Sequence, residues 1–168
     1  MKVIKAPGKV DFTKGNMTLF LGGSIEMGKA EKWQDRIIAD LKEFDDLLVL
    51  NPRRDDWDSS WVQSKNSPQF RELVEWELDC QENCDIIIYY FAKGTISPIT
   101  LLELGLFGDL HGTQQRIIYV YCPEGHERKG NVDIVCEKCG IIVFETYEEL
   151  LDELKTVIIT IEGCEEAY

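Results

Sequence analysis

Apolar residues fall into two kinds of pattern that take turns along the chain. Short unbroken runs, Thr18–Leu21, Leu47–Leu50, Asp85–Phe91, Arg116–Tyr121 and Ile141–Phe144, are rich in β-branched, aromatic and leucine residues. Runs of this length with no polar alternation predict strands covered on both faces. Between them, apolar positions recur every three or four residues, which predicts helices over Glu31–Phe44, Pro68–Asn83, Ser97–Phe107 and Thr146–Lys155. The stretch Cys122–Gly140 reads as a loop, and Lys2–Lys5 and Val157–Ile161 as edge strands. Strands alternating with helices at this spacing predict a parallel sheet. The expected fold is therefore α/β, a flavodoxin-like or Rossmann-like doubly wound sheet of about five parallel strands with flanking helices. One domain is expected over residues 1–168, with residues 1–16 as an N-terminal arm and 162–168 as an acidic tail.

The segment from Asp85 to Gly108 organises the rest. Its strand is the expected centre of the sheet, and Ser97 and Pro98 then give the N-cap and N1 signature of a helix. That helix carries Ile99, Leu101, Leu102, Leu104, Leu106 and Phe107 nearly all round, so it is expected to be largely buried, with Gly105 allowing another backbone close. Glu103 interrupts this apolar surface. On the preceding helix Phe70, Leu73, Glu77, Cys80 and Cys84 share one face, and Glu77 stands where the stripe asks for an apolar side chain. Two inward carboxylates flanking one strand suit acid/base or glycosyl chemistry. A structural salt bridge from Glu77 to Arg53, Arg54 or Lys93 is the competing explanation.

Binding groups are expected at the carboxyl ends of the strands. Gly22, Gly23 and Ser24 follow the first confident strand, where a glycine turn lets a backbone approach a ligand and offers N–H groups, or is simply a tight turn. The loop Asn51–Trp61 is rich in donors, acceptors and indoles; Trp57 or Trp61 can stack a planar base while Asn51, Asp56 or Asp58 bonds its edge, or the tryptophans can merely cap the core.

Charge narrows the ligand class. With 18 basic and 31 acidic residues the net charge is −13, which repels nucleic-acid polymers and anionic membranes and leaves a small molecule as the expected partner. No stretch approaches the ~20 apolar residues of a membrane span, and MKVIKAPGKVDFTKG has no apolar signal core, so a cytoplasmic location is expected. Six cysteines in such a chain read as reduced thiols or metal ligands. Cys122, His126, Cys136 and Cys139 have the C-x3-H-x9-C-x2-C spacing of a tetrahedral zinc site, or are free thiols in a loop.

The series LFLGGSIE, NPRRDDWD, VEWELDCQENCDIIIYY, SPITLLELG and C-P-x-G…RKGNV resembles the nucleoside 2-deoxyribosyltransferase superfamily, most closely its nucleoside 2-deoxyribosyltransferase-like branch, over about Thr18 to Val143. The resemblance implies that Glu103, in LLELG, is a nucleophile toward the sugar C1′ and that Glu77 is an acidic residue assisting at the base or sugar. It implies that Gly22, Gly23 and Ser24 line the sugar or a 5′-phosphate. It also implies that Asn131 completes the active site of a neighbouring subunit, hence a homo-oligomer. No cofactor or metal is expected, since a carboxylate nucleophile needs no Lewis acid. Three positions depart from the pattern. Ser97 stands where many transferases have aspartate and related deoxynucleotide N-hydrolases have serine. Glu26 stands where those hydrolases have an arginine. No tyrosine of the first strand is available to steady the nucleophile.

The function expected from these features is transfer of a deoxyribosyl group from a 2′-deoxyribonucleoside to another nucleobase through an ester on Glu103. One alternative is an N-glycosidase acting on 2′-deoxynucleoside 5′-monophosphates with water as acceptor. The other is a non-catalytic protein that sequesters a nucleotide, against which stand two buried carboxylates that a binder does not need.

Overall fold

The structure is a computed structural model that describes residues 1–25, 30–56, 58, 60–111 and 116–165. Six strands, β1 (Lys2–Lys5), β2 (Thr18–Gly23), β3 (Leu48–Asn51), β4 (Ile86–Tyr90), β5 (Ile117–Tyr121) and β6 (Ile142–Phe144), form one sheet in the order β1-β3-β2-β4-β5-β6. Every pairing is parallel, with Leu19 opposite Ile86 and Ile86 opposite Ile117 at the centre. The helices are α1 (Trp33–Asp40), α2 (Pro68–Asn83), α3 (Pro98–Phe107), α4 (Lys129–Cys139) and α5 (Tyr147–Glu165). This is the doubly wound α/β architecture that the alternation of patterns predicts.

Strand alternation divides the core in two. Leu19, Leu21, Ile86, Ile88 and Tyr90 point to one face, where α1 and α5 cover them with Trp33, Ile37, Leu150 and Leu154. Phe20, Ile87, Tyr89 and Phe91 point to the other face, beneath α2, α3 and α4, which contribute Cys80, Leu104, Val132 and Cys136. Each of these fully covered side chains stabilises the fold by roughly 1.5–3 kcal/mol, so β4, buried along its whole length, is the mechanical centre. At its start the Asp85 carboxylate accepts hydrogen bonds from the Thr18 N–H (2.8 Å) and hydroxyl (2.6 Å), locking β4 to β2.

Three elements differ from the sequence reading. Residues 129–139 are helix α4, not loop; Val132 and Cys136, four apart, are its buried stripe, too short a repeat to stand out among charges. Val157–Ile161 is not a strand but part of α5, because Leu150, Leu154 and Ile158 continue one helical face past the expected end, and the helix takes up the start of the acidic tail. Lys2–Lys5 is the edge strand expected there, β1, paired to β3.

The third difference is α3, which is not buried all round. Ile99, Leu102 and Leu106 are 60%, 68% and 59% exposed, and among the described residues no atom beyond its own turn of helix lies within 4 Å of where a Gly105 side chain would begin. Nor does Ser97 cap this helix: its backbone is left-handed (φ 48°) and its side chain makes no cap bond, since a residue preceding proline is pushed out of the right-handed helical region. No helix among the described residues is long and apolar enough to cross a membrane.

Candidate active site

Strand order switches between β2 and β4. From β2 the chain steps to β3 on one side, and after α2 it returns to β4 on the other. Connections diverging in this way leave a crevice at the carboxyl ends of the strands, where open α/β sheets take ligands. A cavity of about 390 Å³ opens there, within the ~300–1,000 Å³ usual for small-molecule sites. Its wall brings together Gly22, Gly23 and Ser24 at the end of β2, Arg53 and Arg54 after β3, Glu77 of α2, Ser97 just before α3, and Glu103 within α3. Phe20, Phe70, Leu73 and Ile99 give it apolar surface suited to a ring.

The two carboxylates titrate unequally. Burial pushes the Glu103 carboxyl up to about 7, while a hydrogen bond from the Gln81 side chain holds it down from going further. Burial also raises Glu77 well above the ordinary carboxylate range, and the charge of Glu103 raises it again. The influence is one-sided for a simple reason: Glu103 loses its proton first, against a neutral neighbour, and Glu77 must then ionise beside an existing charge. Above about pH 7 the pair therefore rests with Glu103 as carboxylate and Glu77 as acid. No cation reaches Glu77 among the described residues. Arg54 is held by Asp56 at 2.8 Å, and the Arg53 guanidinium donates to the Glu31 and Ala30 carbonyls.

The other expected binding residues divide by position. Ser24 and Ser97, with Thr95, form a knot of hydroxyls: Ser24 Oγ bonds Ser97 Oγ and lies 2.9 Å from Thr95 Oγ1, Thr95 Oγ1 lies 2.8 Å from Ser97 Oγ, and Ser24 Oγ accepts from the Ala92 N–H at 2.9 Å. This knot fixes the start of α3 against the ends of β2 and β4, so it positions Glu103 from below. Gly23, at φ 154°, is also needed for packing, since a Cβ would sit 2.5 Å from the Tyr90 carbonyl and 2.7 Å from Trp33. Gly23→Ala is expected to lower the unfolding free energy by about 3 kcal/mol through this clash; an unchanged urea midpoint would contradict the close approach.

In the loop after β3, Asn51 is buried and its Oδ1 accepts from the Arg53 N–H at 2.9 Å, shaping the turn, while its Nδ2 has no hydrogen-bond partner among the described residues. Asp58 is exposed, accepts from the Ser60 N–H and does not line the cavity. Trp57 and Glu26 lie outside the described residues. Trp61 lies under the Arg54 guanidinium, 4.8 Å from ring centre to carbon. Asn131 is exposed in the first turn of α4, away from this chain's own cavity wall.

The C-x3-H-x9-C-x2-C residues do not gather. Cys122 and Cys136 are buried in the core beneath α4, and His126 Nδ1 accepts from the Arg128 N–H at 3.2 Å. Among the described residues no three His, Cys, Asp or Glu side chains converge on a common point.

Gln81 escaped the sequence reading. It sits one turn after Glu77 on the same face of α2, completely buried, beside Cys80. The signal was the i,i+4 spacing from an already anomalous carboxylate, obscured because Cys80 satisfied the stripe.

Among solved structures, a conserved protein from Enterococcus faecalis V583 has a similar fold, with a TM-score of 0.59 at 11% identity over 84% of this chain and 98% of that one. No curated protein matches the sequence. The family model described as nucleoside 2-deoxyribosyltransferase like matches residues 16–125, which include the glycine turn, the loop after β3, both carboxylates and the hydroxyl knot. More than half of the chain lies within that match, and the protein belongs to the nucleoside 2-deoxyribosyltransferase-like family.

Proposed function

We propose that the protein cleaves the N-glycosidic bond of a 2′-deoxyribonucleoside and passes the deoxyribosyl group to a second nucleobase. The observation that carries this reading is a pair of carboxylates on one cavity wall, Glu103 buried and Glu77 half-buried, both raised by burial above the ordinary carboxylate range. A Glu103 oxygen attacks C1′ from the face opposite the base, and the C1′–N bond breaks as Glu77 gives its proton to the departing nitrogen. The sugar is left as an ester on Glu103. An incoming base then attacks C1′, gives its proton to Glu77, and releases Glu103 as carboxylate. Two displacements through oxocarbenium-like transition states replace one harder step.

The test is a panel of deoxynucleosides and deoxynucleoside 5′-monophosphates, each incubated with and without free base. A new nucleoside that forms only when base is added supports transfer. Release of free sugar or sugar phosphate alone replaces it with the hydrolase reading, which Arg53 and Arg54 favour by placing positive charge on the cavity wall.

The working form in this proposal is a homo-oligomer. The outer face of α3, with Ile99, Leu102 and Leu106, carries no charge, because its single ionisable residue, Glu103, points inward. On a chain of net charge −13 it is a face where two copies meet without like charges opposed. Gly105 weakens a helix interior by roughly 1 kcal/mol and relieves no contact within the protomer, so its bare backbone suits a close helix crossing with a second α3. Ile99 stands on the cavity rim as well as on this face, so such a crossing helps close the site, and Asn131 of a neighbour is the further residue proposed to enter it. Replacing Leu102 and Leu106 together by glutamate is expected to give a folded monomer with at least tenfold lower turnover, read by light scattering and product assay. A wild-type monomer with full activity would remove the idea.

A further inference from the structure

Beneath the two carboxylates lies a polar pair that the proposed reaction does not use directly. Gln81 and Tyr89 are both completely buried, in the core between α2 and β4. A buried amide and phenol are a net cost unless every polar atom finds a partner. Here they find each other: Tyr89 Oη donates to Gln81 Oε1 at 2.6 Å. The other end of the amide, Nε2, donates to the Glu77 carbonyl oxygen at 3.2 Å. A backbone carbonyl only accepts, so that contact must be made by the N–H end. The orientation of Gln81 is thereby fixed from both sides. The oxygen faces Tyr89 and the N–H₂ group faces the backbone of α2, and the amide acts on the Glu103 carboxyl as the influence that lowers its titration against burial.

We propose that Gln81 is the positioning residue that steadies the Glu103 carboxylate and that the Tyr89 hydroxyl acts through it by locking the amide. The inference rests on Glu103 being the nucleophile of the proposed reaction, but the hydrogen-bond chain itself can be measured without turnover. Tyr89 stands in β4, at the centre of the sheet, which is the most rigid platform available. Burial keeps its phenol protonated far above the working pH, so it is a permanent donor. Gln81 hangs from α2 one turn after Glu77. The arrangement thus ties the carboxylate on α3 to the centre of the sheet through α2.

The titratable and charged groups near this chain are few. Glu77 shares the cavity wall with Glu103 from α2, Arg53 and Arg54 line the same cavity from the loop after β3, and Cys84 and Arg116 act electrostatically on Tyr89. None of them changes in the substitutions below.

The experiment follows the Glu103 carboxyl by carbon NMR titration of protein carrying carboxyl-labelled glutamate, without substrate, with the resonance assigned from its loss in Glu103→Gln. Gln81→Leu keeps the volume and removes the donor, so the Glu103 midpoint should rise by about one pH unit. Tyr89→Phe removes only the hydroxyl and should raise it by a smaller amount. The double variant should match Gln81→Leu alone, because Tyr89 acts through the amide. The acid limb of kcat/KM should move with the NMR midpoint in each case.

A Glu103 midpoint unchanged in both single variants, or shifts that simply add in the double variant, would overturn the relay. If Gln81→Leu does not fold, Tyr89→Phe decides alone, and a midpoint equal to wild type counts against it. NMR shifts as expected in a protein with no glycosyl transfer would leave the relay standing and reject the catalytic reading.

Discussion

Glu103→Gln should lose on the order of 10⁴-fold or more in turnover while gaining stability at neutral pH. The loss follows from chemistry, since an amide matches the carboxylate in shape but cannot form the sugar ester. The gain follows from linkage. Glu103 ionises near 4.5 when unfolded and near 7 when folded. A carboxyl whose folded value is raised favours the native state fully below the unfolded value, and that contribution is lost as pH climbs from about 4.5 to about 7. Above that range the buried charge weakens the wild type by about 3 kcal/mol relative to a neutral isostere. Urea melts of the two proteins should therefore nearly coincide at pH 4 and separate progressively up to pH 8, with the variant more stable. A variant that is less stable at every pH and still turns over would make Glu103 a structural anchor.

Glu77→Gln should lower turnover roughly 10²–10⁴-fold, the usual range for removing a general acid, but only where the leaving base needs a proton. With a deoxyriboside whose leaving group departs unaided, formation of the sugar ester should proceed at close to the wild-type rate, whereas Glu103→Gln should fail with both substrates. The pH profile separates the roles further. Wild-type kcat/KM should rise through about pH 7 as Glu103 ionises and fall at higher pH as Glu77 loses its proton. In Glu77→Gln the falling limb should vanish and the rising limb remain. A falling limb that survives the substitution would assign the acid to another group.

The fold was legible where burial is two-sided and long. The Asp85–Phe91 run has no polar position to compete with its assignment, and the structure buries β4 throughout. Glu77 and Glu103 were legible for the opposite reason: each breaks an apolar pattern that its neighbours define, and the cavity wall holds both. Helix α4 was not legible, because an eleven-residue helix that buries only Val132 and Cys136 is hardly different from a polar loop. The outer face of α3 misled in the other direction. Leucine and isoleucine at 99, 102 and 106 look like core in a sequence, and only the folded chain shows that no element among the described residues covers them. Ser24 and Ser97 do line the cavity, but sequence cannot show that their hydroxyls are tied to one another. Gln81 was hidden because glutamine is ordinary on a helix surface, and its burial depends on where β4 places Tyr89.

The central claim is a covalent sugar ester on Glu103, and trapping it is the most direct measurement. Wild-type protein incubated with a 2′-fluoro-2′-deoxynucleoside, which slows breakdown of the ester by destabilising positive charge at C1′, is quenched in acid, digested and mapped by mass spectrometry. The account predicts one fluorodeoxyribosyl adduct on the peptide carrying Glu103, absent in Glu103→Gln and discharged when free base is added before the quench. An adduct on Glu77, or turnover with no adduct on any carboxylate, would contradict it.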